Sequence, residues 1–407
     1  MKFLINGADN TAVVATTTYN FIAASHQSSW NTTETNRDTP VAGAMTLTGM
    51  VARFSTAPGV GETRTLTVMV DGTATAATVT VSGTDVQNSA TFSVSVTAGQ
   101  TISMRYTASA GAVSTTDQYW SILAESVTTD YFVMFGGSGT TNGVTAYQQL
   151  QNGTGTWLTS AADANQVMPL AGNITAWYVA STVAPGTGTD AWDISVAING
   201  TPSAATVNYG AAETGQKSWT GTVALAAGDL VAMSMVETGT SAATAVAWSV
   251  VITPTTAGQS CIMFGNPDTP NTAATEYEQL FGGGNATWIT TEANRYATLY
   301  TTTIQAIYAK VGTAPGALSD WTFQVREEAG NLTGASVVVS GTNTTGSSTG
   351  LSIAATSGNR YNWSCIPNVV PPATMTGGAH LGIQIFFEVG GTVVKDFIMS
   401  GFIPSPR

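Results

Sequence analysis

The short apolar segment Phe3-Leu4-Ile5-Asn6-Gly7 recurs as Phe132-Val133-Met134-Phe135-Gly136 and as Cys261-Ile262-Met263-Phe264-Gly265. A fourth copy, Phe397-Ile398-Met399-Ser400-Gly401, closes the chain. The first three glycines, at 7, 136 and 265, are evenly spaced, and Gly401 follows after a slightly longer interval. Other landmarks keep step. Tyr19, Tyr147 and Tyr277 precede Trp30, Trp157 and Trp288, and Ala-Pro-Gly recurs at 57–59, 184–186 and 314–316. Asp71-Gly72 and Asn199-Gly200 correspond, as do Trp120-Ser121-Ile122 and Trp248-Ser249-Val250. Ordered landmarks at near-constant offsets mean tandem copies of one unit. The 407 residues therefore divide into 1–130, 131–260 and 261–407, each of ordinary single-domain size. The third unit carries an insertion, divergent strands and the extra terminal copy.

Each unit reads as all-β. Leu66, Val68 and Val70 alternate with Thr65, Thr67 and Met69 ahead of Asp71-Gly72, and Ile194, Val196 and Ile198 hold the same frame before Asn199-Gly200. A period of two with one apolar face is the pattern of half-buried strands, and Asp-Gly or Asn-Gly suits a tight hairpin. Frequent Gly and Pro punctuation favours a jelly-roll-like β-sandwich over a β-helix. The best helical candidates are single turns at 147–150 and 277–280. Trp30, Trp157 and Trp288, repeated in every unit, are expected to be core anchors.

Charge is scarce: 12 Lys and Arg against 24 Asp and Glu, 9% of the chain and a net −12. Soluble domains usually carry roughly 25%. No basic cluster exists to hold phosphates, which argues against nucleic acid as a partner. No apolar stretch approaches the ~18 residues of a membrane span, and the N-terminal run is too short for a secretory signal. The scattered carboxylates predict no metal site, and no cofactor motif is present. The two cysteines, Cys261 and Cys365, read as buried thiols or one incidental bridge.

Catalytic candidates are weak, and the chain is expected not to be an enzyme. His26 and His380 lie in different units, and His26 has no counterpart in the other copies. Gly346-Ser347-Ser348-Thr349-Gly350 matches G-x-S-x-G but lacks the strand-to-helix context of a nucleophile elbow. Glu34-Thr35-Asn36-Arg37 and Glu292-Ala293-Asn294-Arg295 recur, with Asp163-Ala164-Asn165-Gln166 in the middle unit. These read as loops held by a Glu–Arg pair and an Asn side chain. A glycan-binding face would use rings outside the repeat, such as Trp219 and Trp363.

Three units carry four copies of one apolar strand. An unpaired strand recruits a partner, so Phe3, Leu4 and Ile5 at one end and Phe397, Ile398 and Met399 at the other are the candidate assembly residues. Joined head to tail, such ends give rings or filaments. The segment Pro169-Leu170-Ala171-Gly172-Asn173-Ile174-Thr175-Ala176-Trp177-Tyr178-Val179, followed by Ala184-Pro185-Gly186 and Asn199-Gly200, resembles stretches of the tandem jelly-roll virion proteins of tailed bacteriophages, of decoration and fibre type. That resemblance implies a structural, self-associating or capsid-binding role in a virion or outside the cell, and transfers no functional residue. An extracellular filament subunit and a carbohydrate-binding adhesin are the alternatives.

Overall fold

The computed structural model describes residues 1–13, 16–24, 29–127, 130–139, 145–153, 157–281, 287–328, 330–357, 359–368 and 370–387. His26 and the candidate assembly residues Phe397, Ile398 and Met399 lie outside these. The first domain contains β1 (Lys2–Asp9), β2 (Thr18–Phe21), β3 (Thr39–Pro40), β4 (Met45–Phe54), β5 (Gly59–Val70), β6 (Thr73–Gly83), β7 (Gln87–Val96), β8 (Thr101–Ala108) and β9 (Gln118–Ser126). The second repeats the series as β10 (Phe132–Gly137), β11 (Ala146–Gln148), β12 (Gln166–Val167), β13 (Gly172–Ser181), β14 (Ala191–Ile198), β15 (Thr201–Tyr209), β16 (Gly215–Leu225), β17 (Leu230–Thr238) and β18 (Val246–Pro254). The third comprises β19 (Gln259–Asn266), β20 (Glu276–Gln279), β21 (Ala297–Thr298), β22 (Thr302–Val311), β23 (Gly316–Glu327), β24 (Gly330–Gly341), β25 (Thr345–Ala355), β26 (Arg360–Pro367) and β27 (Ala379–Phe386).

In the first domain one sheet runs β1-β9-β4-β7 and the other β2-β8-β5-β6, with β3 added to β8. The second and third domains repeat both orders strand for strand. The chain is thus three tandem antiparallel β-sandwiches with the strand order of a jelly roll. The copies agree even in their irregularities: a register break follows Leu47, Ile174 and Ile304 in the fourth strand of each domain. The Asp71-Gly72 and Asn199-Gly200 turns both have positive φ at both residues, the geometry that Asn, Asp and Gly accept most cheaply.

The supposed helical turns at 147–150 and 277–280 begin as strands, β11 and β20, because their residues pair with β17 and β26. The short helical turns instead fall on the recurring acidic landmarks, at Glu34–Asn36, Ala161–Ala164 and Glu292–Asn294.

The third copy also sits one residue out of the register suggested by Gly265. Gly7 pairs with Trp120 and Gly136 with Trp248, but the equivalent pair in the third domain is Phe264 with Leu381. A side chain on Gly7 or Gly136 would overlap the indole opposite. The third domain reverses the sizes, placing the large ring on the first strand and the smaller residue on the last. Its missing tryptophan reappears across the core. Trp120 Nε1 donates to the Ile22 carbonyl at 2.7 Å and Trp248 Nε1 to that of Leu150 at 2.8 Å. In the third domain Trp363, on β26, donates to the matching Leu280 carbonyl at 3.2 Å. Trp363 lies outside the repeat pattern because it does this substitute's work. It is fully buried, so it offers no face to a sugar.

Candidate functional site

The domains do not lie in a row. The segment containing β3 packs on β10, β13 and β18 of the second domain; β12 packs on β19, β22 and β27 of the third. The segment containing β21 packs on β4 and β9 of the first, which closes the cycle. Each domain therefore lays the same short strand on the same sheet of the next, and β1 touches both β10 and β19. The result is a ring of three jelly rolls in one chain, with pseudo-threefold order and three seams built from corresponding strands.

The first seam, between domains one and two, is neutral. Ala42 N donates to Ser249 Oγ at 2.8 Å, Asn152 Nδ2 donates to the carbonyl of Asn6 at 2.6 Å, and Tyr131 hydroxyl donates to the Ala44 carbonyl. Gly137 lacks the side chain that would collide with Phe21. The second seam uses glutamines. Gln151 accepts from Met263 N at 2.6 Å, and Gln149 donates to the Gly265 carbonyl. Gly382 admits Val167 and Pro169. His380 is buried against this seam, its Nδ1 without a hydrogen-bond partner, and burial pushes its imidazole down to about 4.

The third seam differs in kind. Tyr300 reaches over Gly49 toward the Ala90 carbonyl, at 3.4 Å. The same seam holds a cavity of about 280 Å³ lined by Arg53, Ser55, Asp117 and Tyr119 from the first domain and by Ala293 and Arg360 from the third. Arg53 is only 9% exposed, and its Nε has no hydrogen-bond partner. Burial and the neighbouring Arg360 charge push its guanidinium down to about 10. Arg360 is itself ion-paired with Glu328 and stands over the Tyr296 ring at 4.9 Å.

The assembly residues named from the sequence are placed only in part. Phe3, Leu4 and Ile5 are 1%, 4% and 2% exposed, in β1 and hydrogen-bonded along β9. Phe3 and Ile5 enter the core shared by the first two domains, and Leu4 packs with the third domain's core. Trp157 and Trp288 are buried, and Trp30 packs on Tyr106 and Trp120 at ring separations of 5.6 and 5.9 Å.

Among the described residues, the Glu and Arg of each recurring acidic loop do not pair with each other but with groups elsewhere. Glu34 accepts from Ser103 hydroxyl, whereas Arg37 donates to the Ser29 carbonyl and lies over Phe21. Glu292 pairs with Arg326 at 2.5 Å, and Arg295 pairs with the buried Glu278 at 3.3 Å. The G-x-S-x-G string is part of strand β25, so it forms no elbow. Cys261 and Cys365 are both free and buried. Among the described residues no cluster of potential metal ligands occurs, and no helix is long and apolar enough to cross a membrane.

No family model matches the chain. No curated protein matches it either. Among solved structures, a chain from the atomic structure of Sulfolobus Turreted Icosahedral Virus is 12% identical at a TM-score of 0.18, covering 85% of this chain and 79% of that one. Dimeric latent PorU from Porphyromonas gingivalis is 10% identical at a TM-score of 0.18, covering 84% of this chain and 32% of that one. At such TM-scores neither likeness bears on what this chain does.

Sequence reasoning missed the seam residues. Asn152, Gln149, Gln151 and Ser249 are ordinary polar residues at unremarked positions. Arg53 and Arg360 had one available signal: they break the repeat. The strand registers align Arg53 with Ala180 and Lys310, and Arg360 with Thr101 and Leu230. That alignment needs the third copy's true register, which the glycine spacing misplaces.

Proposed function

We propose that this chain is a non-enzymatic structural protein of a virus particle, a tailed-bacteriophage decoration, fibre or tail component, acting through contacts with its own copies or with capsid proteins. The observation that carries this reading is the closed ring. Three like domains sharing one repeated seam form a covalent counterpart of a cyclic trimer, a shape suited to a position of threefold symmetry. The outward strands β7, β16 and β25 edge their sheets and alternate exposed with half-buried residues, many of them Ser, Thr or Gly. Sheet edges of this kind are where further chains add.

The test is direct. Purified protein should form species larger than its 41.7 kDa chain in light scattering, or bind phage capsids in co-sedimentation. A chain that stays monomeric at every concentration and ignores capsids removes the proposal.

A head-to-tail extracellular filament is the second reading, favoured by the fourth strand copy at Phe397, Ile398 and Met399. Because β1 is buried and already packed against β9, β10 and β19, an incoming strand would have to displace part of that packing. Removing residues 395–407 should then leave a folded ring that no longer polymerises. Filaments unchanged by that truncation would refute the terminal-strand join.

A further inference from the structure

The pseudosymmetry supplies an internal control for the third seam. If the Arg53 cavity were a requirement of docking one domain on the next, the other two seams would carry it as well. They do not have its residues. Where the third seam has Arg53, Tyr119 and Arg360, the first has Ala180, Ala247 and Thr101, and the second has Lys310, His380 and Leu230. The first seam is closed by small side chains. In the second, the buried His380 occupies the matching place.

At the third seam two guanidinium groups from different domains line one cavity. They repel, and burying either away from water is costly unless a partner replaces the lost hydration. Arg360 has Glu328 and the Tyr296 ring to hold it. Arg53 has a buried Nε without a hydrogen bond, in a cavity far larger than the roughly 30 Å³ that one water occupies in the liquid.

We infer that this cavity is a binding site for a small oxyanion, a phosphate or a carboxylate, gripped by the Arg53 fork and by the edge of the Arg360 guanidinium that Glu328 leaves open. A planar guanidinium fork matches the paired oxygens of either group. Asp117 also lines the cavity and offsets part of the positive charge. That selects a singly charged or protonated oxyanion over a multiply charged one. The site spans two domains, so an occupied site would also brace the ring at its most polar seam.

The experiment is calorimetric titration of the full chain with sodium phosphate and, separately, sodium acetate, against sodium chloride at matched ionic strength. Saturable binding of at least one oxyanion is expected in the wild type. Binding should weaken about tenfold or more in Arg53→Met, which keeps the apolar stem and loses the fork. Saturation by phosphate alone assigns the site to phosphate, and by acetate alone to carboxylates. Lys217→Met, at a half-buried cation of the second domain paired with Glu213, should bind like the wild type. Should Arg53→Met fail to fold, Arg360→Gln gives the same readout from the third domain's side. No saturable binding of either anion in the wild type, or equal binding in the arginine variants, overturns the inference.

Discussion

The exchange of Gly7 and Trp120 for Phe264 and Leu381 predicts a strong coupling that can be measured in the first domain. Gly7→Phe alone drives a ring into the space of the Trp120 indole. Overpacking typically costs ~1–3 kcal/mol, and a whole ring belongs at or above the upper end. Trp120→Leu alone opens a cavity and strips the Ile22 carbonyl of its 2.7 Å hydrogen bond. Truncating a buried Trp to Ala costs ~3–5 kcal/mol; leucine keeps part of the volume, so about 2–3 kcal/mol is expected.

Independent effects would sum to roughly 5–6 kcal/mol. The third domain shows that the reversed pair packs, so the double variant should lose only about 2 kcal/mol, most of it from the orphaned carbonyl. Adding Met104→Trp, which copies Trp363 from the equivalent strand position, should recover part of the remainder. Urea midpoints followed by far-UV circular dichroism provide the assay, compared at constant slope because three domains need not unfold together. A double variant whose loss equals the sum of the two singles would refute the size-exchange argument.

The remaining predictions concern pH and the first seam. Burial raises Glu278 to about 7 against the opposing pull of Arg295, so between pH 4.5 and 7 the folded chain holds an extra proton and stability falls as pH rises. His380, lowered to about 4 by burial, holds fewer protons folded than unfolded up to pH 6.5, and its contribution rises with pH. The two oppose each other between pH 4.5 and 6.5, with Asp38, raised to about 6, adding to the falling side. Glu278→Gln should therefore tilt the stability profile upward by as much as about 1.4 kcal/mol per pH unit, and His380→Asn should tilt it downward. Slopes unchanged in both variants would show that neither group is buried as described. Ser249→Ala should leave the Ala42 amide without its acceptor at the first seam, costing ~1–3 kcal/mol and lowering that amide's protection in hydrogen exchange; undiminished protection would mean the seam bond is not formed in solution.

Much of each domain was legible in the sequence because strand periodicity and turn chemistry are local. Alternation of two and Asp-Gly or Asn-Gly pairs follow from one chain segment's own geometry, and the repeat multiplied that signal threefold. Core substitutions were less legible. Trp363 looked like a spare ring because the position it fills belongs, in the other domains, to a strand on the opposite sheet. A one-residue slip at Gly265 had the same origin: glycine marked a close approach in two copies, whereas in the third the tight contact had been relieved by exchanging sizes across a strand pair.

Three like domains and a scarcity of charge followed from the sequence alone, and the scarcity first pointed to hidden surfaces. Where those surfaces lie was a tertiary matter. Two seams are joined by apolar packing and neutral hydrogen bonds, whereas the third gathers two arginines and Asp117 around a cavity. Ring closure brings β21 back against β4 and β9, and so sets Arg360 beside Arg53, some three hundred positions earlier in the chain. Periodicity reports which face of a strand is buried by its own sheet. It carries no information on which distant domain covers the other face, because that depends on the summed geometry of every turn between them.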